Sequence, residues 1–386
     1  MLEIKEQEAV CILDCFKALP DPRCTTNRLH LLGDVIVIAV CGVLANADGP
    51  LAIAKWAQLN SAWLKGHLQL PNGIPSRDTI RRVLTLLDPM AFQKCFTAWL
   101  DSLSDVPEEQ KTNYKKHVAI DGKAMRRSHD KKKGLGALFI VGAWASEQGI
   151  SLGQVATEAK SNEITAIPKL LDHIDVEGTI ITIDAAGCQK NIAKQIIESQ
   201  GDYVLALKLN HPTLYKQVDG LFSDHLADDF ARIPVSQYEE QEKGHGRVEK
   251  RSYFQLTAPK DLFGRKEWAG IKTIGAAIRV YEQDGKEKSD VRYYLSSLGR
   301  NGQLFANSVR NHWSIENTLH WSLDMTYRED ESRIRERTCA QNMSWIRRIT
   351  LSLIKQHPGK ESYIMKRRMA GWNVDYMMQL LTGQYT

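Results

Sequence analysis

The sequence predicts an α/β protein: a helical N-terminal region, a strand-rich centre and a helical tail. Three observations predict it. Apolar residues in the first hundred positions recur at helical spacing. From His117 the pattern changes to short β-rich segments in the order β-β-β-α-β-α-β. Two of those segments finish in an aspartate followed by small residues, as ligand-binding edges of α/β sheets do.

The elements follow in order. Val35–Ala45 is a buried apolar segment, and Leu51, Ala54, Trp56, Leu59 and Trp63 lie near helical spacing. Ser76 is an N-cap for a helix carrying Ile80, Val83, Leu84 and Leu87, and Asp88-Pro89 ends it. A short helix over Phe92–Leu100 precedes the charged, Pro-containing stretch Asp101–Lys116, the best linker in the first third. His117–Asp121, Ala137–Ala145 and Ile150–Thr157 read as a β-meander. Ile164–His173 is an amphipathic helix, and Thr179–Asp184 is nearly all apolar, as a buried central strand should be. Gln189–Ser199 is helical, Tyr203–Leu207 is a fifth strand, and Pro212–Phe230 is a helix. Strand-like Tyr253–Leu256, Thr273–Tyr281 and Val291–Ser296 make an inserted β-rich block at about 235–300, and the pattern is helical from Leu304 on. The expected division is a helical domain over 1–105 and an α/β domain over 106–386 that contains the insertion.

Bulk properties set bounds. With 386 residues, 43% of them hydrophobic and 25% charged, the chain is an ordinary globular protein of more than one domain's usual size. A net charge of +5 permits a polyanionic partner without demanding one. Residues 333–368, however, hold ten Lys/Arg against Glu336 and Glu361, which reads either as a basic patch for nucleic acid or as a solvated helix face. Seven cysteines without a C-x-x-C spacing fit free thiols in a reducing compartment. The longest apolar run, Val35–Ala45, is too short to cross a bilayer, and the first ten residues lack a signal-peptide core. A cytoplasmic location is expected. There is no G-x-x-x-x-G-K-[ST] loop, so no nucleotide is expected as a cofactor.

The chemistry concentrates on carboxylates. Asp121 and Asp184 close the first and fourth strands, where side chains of a central sheet converge on one edge. Alone, such an aspartate also serves as a turn or helix cap; two in one β-β-β-α-β frame point to a shared ligand. Gly122 and Ala185-Ala186-Gly187 follow them, and small neighbours let an anionic ligand approach the backbone. His312, Glu316, His320 and Asp324 lie four apart and form one polar helical stripe. That stripe also fits a zinc hydrolase or a solvated face of i, i+4 pairs. The strand aspartates argue for hard ions, Mg²⁺ or Mn²⁺, because zinc prefers His and Cys.

Four segments, A-I-D-G-K (Ala119–Lys123), T-I-D-A-A-G-C-Q (Thr182–Gln189), H-G-R-V-E-K-R (His245–Arg251) and H-W-S-I-E-N-T-L-H-W-S-L-D-M (His312–Met325), resemble in this order the insertion-sequence transposases of the ISAs type, a group that includes the bacterial H-repeat-associated proteins. G-I-P-S-R-D-T-I-R-R-V (Gly73–Val83) extends the likeness into the N-terminal region. The resemblance implies an RNase H-like (retroviral-integrase-like) core in which Asp121, Asp184 and Glu316 are the acidic (DDE) triad. The β-rich block matches an insertion found in many such transposases. The wider superfamily places Tyr, Arg and Lys around the glutamate; here those places hold Val309, His312 and Leu323, so those roles do not carry over. His312, His320 and Arg328 are the candidates to replace them.

The expected activity is DNA strand cleavage at element ends followed by strand transfer, with two divalent ions held by Asp121, Asp184 and Glu316. Expected DNA contacts are Lys123, Arg126 and Arg127 after the first aspartate, and His245, Arg247 and Arg251 at the G-H-G-R turn. His312 and His320 flank the glutamate, and Arg77 and Arg81 lie on a helix that fits a groove. Each of these basic groups is equally compatible with a solvated loop or face. Expected partners are double-stranded DNA, as terminal inverted repeats and target, and a second copy on that DNA, which makes the protein nucleoid-associated. The alternatives are a degenerate DNA-binding relative and an RNase H-like nuclease that does not join strands.

Overall fold

The structure is a computed structural model, and it describes residues 14–103, 116–158, 162–244, 247–283 and 286–385. One mixed sheet of nine strands organises it, in the order β3-β2-β1-β4-β5-β9-β8-β7-β6. The strands are β1 Lys116–Met125, β2 Leu138–Ala145, β3 Ile150–Thr157, β4 Thr179–Ile183, β5 Asp202–Leu207, β6 Val235–Gly244, β7 Arg247–Thr257, β8 Thr273–Gln283 and β9 Lys286–Ser296. β1, β2 and β3 form the antiparallel meander, while β4 and β5 run parallel to β1. The insertion is not a separate block. Its strands form successive hairpins, and β9 pairs antiparallel with β5, so the central sheet simply continues outward. β6 went unread in the sequence because Glu239, Glu240, Glu242 and Lys243 interrupt any apolar alternation.

The helices α1 Leu32–Leu44, α2 Pro50–Leu59, α3 Ser61–Lys65, α4 Arg77–Leu86 and α5 Pro89–Leu103 precede the sheet. Ser76 caps α4 as its sequence predicts, accepting from the Thr79 backbone N–H at 3.2 Å. Three helices follow inside the sheet region: α6 Glu163–Leu171, α7 Lys190–Glu198 and α8 Pro212–Leu226. They cover one face through Val118, Ile120, Val141, Ile181, Ile183 and Leu205. The opposite face is covered by α9 Gly302–Ser314 and by α11 Arg337–Gln356. Between α9 and the short α10 Trp321–Met325 the chain forms a π-helical turn over Ile315–His320. Two last helices, α12 Tyr363–Trp372 and α13 Val374–Thr382, close the chain.

α11 is the hub of the molecule. Its side chains share one apolar cluster with α1, α4, α5 and α13, and with Ala119 and Trp144 from the sheet. Met343, Trp345, Ile346, Ile349, Leu351, Leu353 and Ile354 spread over most of the α11 surface, and the remaining side, with Ser344, Arg348 and Ser352, is buried as well. The basic patch expected over 333–368 is therefore corrected in part: Arg347, Arg348, Lys366 and Arg367 are buried, and only Arg333, Arg335, Lys360 and Arg368 are fully exposed. Arg367 donates to the Val43 carbonyl at the C-terminal end of α1 and to the Thr326 carbonyl, and it stacks over Tyr327. Among the described residues no helix is long and apolar enough to cross a membrane.

Candidate active site

The parallel pairing of β1 with β4 ends at Ile120↔Ile183. Asp121 and Asp184 are the next residues on each strand, so they stand side by side where the two strands part. β1 itself runs on to Met125 beside β2, which makes Asp121 an internal residue of its strand and not its last. Apolar Ile120 and Ile183 point to the α6–α8 face, so alternation turns both aspartates to the α9–α11 face. Asp184 is fixed from its own turn: Oδ1 accepts the backbone N–H groups of Ala186 at 3.0 Å and Gly187 at 3.3 Å.

Glu316 reaches the same face from the π-helical turn, and its side chain is exposed. A π turn widens the helix and shifts the residues beyond it around the axis. The four-residue stripe consequently splits. His312 points into the sheet, its Nδ1 3.1 Å from Thr182 Oγ1. His320 Nδ1 lies 3.5 Å from Asp121 Oδ2. Asp324 leaves the stripe and pairs with Lys123 at 2.7 Å. Burial pushes the His312 imidazole down to about 4 despite the nearby Asp184 charge. Burial, with Arg348 and Lys123 nearby, likewise pushes His320 well down, so both rings are neutral.

Asp121 is 17% exposed on its side chain. Burial pushes its carboxyl up to about 7; an N–H from Gly122 opposes this, while Asp184, Glu316 and Glu163 add to it. Three carboxylates thus act on Asp121 together. Among the described residues, no three His, Cys, Asp or Glu side chains close tightly enough to hold an ion as they stand. An all-carboxylate set favours a hard divalent ion such as Mg²⁺ or Mn²⁺ over zinc, which prefers His and Cys.

Glu163 is a neighbour that sequence reasoning missed. It opens α6 and is buried, and its carboxylate fills the space where a side chain on Gly122 would stand. Gly122 is therefore required by Glu163 packing rather than by an approaching ligand. The only signal in the sequence was a glutamate at a helix start, which ordinarily marks a first-turn acid.

The expected DNA-contacting residues are scattered. Lys123 is 7% exposed and lies among Asp324 at 2.7 Å, Asp330 at 3.2 Å and Glu329 at 4.0 Å, so it is an internal cation and not a phosphate ligand. Arg251 is likewise engaged, with Glu242 at 2.7 Å and Glu249 at 2.5 Å. Arg126 is 80% exposed with Asp330 at 3.1 Å, and Arg127 is exposed beside it. Arg77 and Arg81 are exposed on α4 near Asp78. Arg247 begins β7, and His245 falls outside the described residues.

Residues 107–353 match the family model described as "Transposase DDE domain", and residues 13–100 match the model described as "DDE_Tnp_1-associated". The chain belongs to the DDE-domain transposase family. It is 37% identical over 383 residues to "Putative transposase YncI" of Escherichia coli O157:H7, covering 96% of this chain and 94% of that one. It is 34% identical over 378 residues to "H repeat-associated putative transposase YhhI" of Escherichia coli K12, covering 96% and 98%. An "Uncharacterized protein in dhlA 3'region" of Xanthobacter autotrophicus is 40% identical over 286 residues, covering 73% and 92%.

Proposed function

We propose that this transposase-family protein cleaves DNA strands at element ends and joins the freed ends to target DNA, on an RNase H-like core whose acidic triad is Asp121, Asp184 and Glu316. The observation that carries this reading is the pairing of Asp121 with Asp184 at the point where β1 and β4 separate, with Glu316 acting on Asp121 from the helix above. Family membership supports the transposase role. The metal dependence, the strand chemistry and the residue roles are our inference.

Two divalent ions, Mg²⁺ or Mn²⁺, would activate the attacking oxygen and take up charge on the departing 3′-oxygen. The chain supplies the rest. Asp121, Asp184 and Glu316 would hold the ions, with Asp121 the residue on which the other two acids act. The Ala186 and Gly187 N–H groups tie down one Asp184 oxygen and so orient the other. Neutral His312 and His320 add no competing positive charge at the cation site and brace Thr182 and Asp121. Arg126 and Arg127, exposed just past Asp121 on the chain, and Arg77 and Arg81 on α4 are suited to hold the DNA backbone. Joining two ends calls for two active sites, so a dimer assembled on DNA is the expected working form.

The test is cleavage and strand transfer on the element's own ends with Mg²⁺ or Mn²⁺, wild type against Glu316→Gln. Cleavage and joining by wild type alone support the reading. Nicking without joining would make the protein a nuclease, and nicking by both forms would remove Glu316 from the site.

A further inference from the structure

Arg348 on α11 is completely buried, and its Nε, Nη1 and Nη2 have no hydrogen-bond partner among the described residues. The neighbouring buried cations are all engaged. Arg347 reaches Glu329, Ser332 and the Asp48 carbonyl, each at 3.4 Å, and Lys366 donates to the Ile354 and His357 carbonyls. A guanidinium cannot shed its proton to escape burial, so its charge needs an answering anion.

Its position identifies that anion. Gly142 on β2 is the ladder partner of Asp121 on β1. Arg348 Nη1 lies 3.0 Å, and Cζ 3.5 Å, from the point where a side chain on Gly142 would begin. Ladder partners send their side chains to the same face, with first carbons about 4.5–5.5 Å apart. The guanidinium thus fills the place of the side chain that Gly142 lacks, beside the Asp121 carboxylate. Glu329 acts on Arg348 more strongly than Asp121 does, but it also answers Arg347 at 3.4 Å and Lys123 at 4.0 Å, so its single negative charge is shared among three cations. Asp121 is acted on by the carboxylates of Asp184, Glu316 and Glu163, and among the described residues its one ion pair within 4 Å is with His320 at 3.5 Å, a ring that burial and the nearby Arg348 and Lys123 charges push away from its charged form.

We propose that Arg348 is the built-in counter-ion of Asp121, a positioning residue that offsets part of the acidic site's self-repulsion when no divalent ion is bound and competes electrostatically with the ions that bind. The second half rests on the reading of Asp121 as an ion ligand; the first half does not.

A double-mutant cycle on the full chain in EDTA tests the first half. The loss of melting temperature caused by Arg348→Gln is expected to be smaller in an Asp121→Asn background than in wild type, because neighbouring buried charges are non-additive. Equal losses in both backgrounds would overturn the proposal. Should Arg348→Gln fail to fold, Asp121→Asn is expected to rescue it, and failure in both backgrounds counts against the idea. Arg348→Lys, which keeps the charge, is expected to retain most of the stability.

Titration with Mn²⁺ followed by electron paramagnetic resonance tests the second half. Arg348→Gln should bind Mn²⁺ at least roughly tenfold more tightly than wild type, since a nearby like charge has gone. Unchanged or weaker binding contradicts it. If wild type binds no Mn²⁺, the ion-binding reading of the site fails, while the cycle in EDTA still decides the role of Arg348.

Discussion

Two acidic clusters lie within a few residues of each other on β1, and they are built oppositely. Around Lys123 the carboxylates of Asp324, Glu329 and Asp330 surround a cation that the chain supplies. Around Asp121 the carboxylates of Asp184, Glu316 and Glu163 all act on its carboxyl, and the buried cation on that face, Arg348, stands in the space left by Gly142. The first cluster is closed, as a structural ion network must be to survive burial. The second is left open on its accessible side. The contrast teaches where a cation is part of the fold and where one has to come from outside.

The largest expected effect breaks the closed cluster. Lys123→Met should cost about 3–5 kcal/mol of stability, the range for removing one partner of a buried ion pair. Urea denaturation measures it, and a loss below about 1 kcal/mol would show that the three carboxylates do not depend on Lys123. Glu316→Gln attacks the open cluster instead. Strand cleavage should fall more than the roughly 10–100-fold typical of losing an outer-shell partner of a metal ligand. Its stability in EDTA should hold or rise, because a mutually repelling charge has been removed. A destabilised Glu316→Gln would mean that the two clusters are not opposites.

A smaller effect concerns pH. The Asp121 carboxyl, pushed up to about 7 from an ordinary 3.8, holds its proton more tightly in the folded than in the unfolded chain. Ion-free stability should therefore fall as the pH rises from near the ordinary aspartate value toward about 7, then level off. Mg²⁺ should restore stability above that range, and Asp121→Asn should flatten the profile. Thermal melts with EDTA or Mg²⁺ across the range check this. The smallest effect lies at the surface. Arg126→Ala and Arg77→Ala should change stability by no more than about 0.5 kcal/mol. Each should lower the salt dependence of end binding by about one phosphate contact.

What could be read in advance follows from how local each signal is. The meander, the apolar strand before Asp184 and the Ser76 cap depend on residues close together in the chain, and their patterns survive in the fold. Asp121 and Asp184 were legible as candidates for the same reason. The polar stripe from His312 to Asp324 was not, because the π turn at Ile315–His320 breaks the helical period on which the stripe was counted. Lys123, Arg347, Arg348 and Arg367 looked like surface charge because nothing near them in sequence announces burial. Their surroundings come from segments far along the chain, such as Glu329 against Lys123 and Val43 against Arg367. Glu163 and Gly142 belong to the same class: their role beside Asp121 exists only after β1, β2, α6 and α11 have assembled.

The contrast between the two clusters is tested most directly by anomalous scattering from crystals of the protein bound to a DNA end and soaked in Mn²⁺. The account predicts manganese peaks among the carboxylates of Asp121, Asp184 and Glu316, and none among Asp324, Glu329 and Asp330. Peaks at the Lys123 cluster alone, or Glu316 turned away from Asp121 with DNA in place, would contradict it.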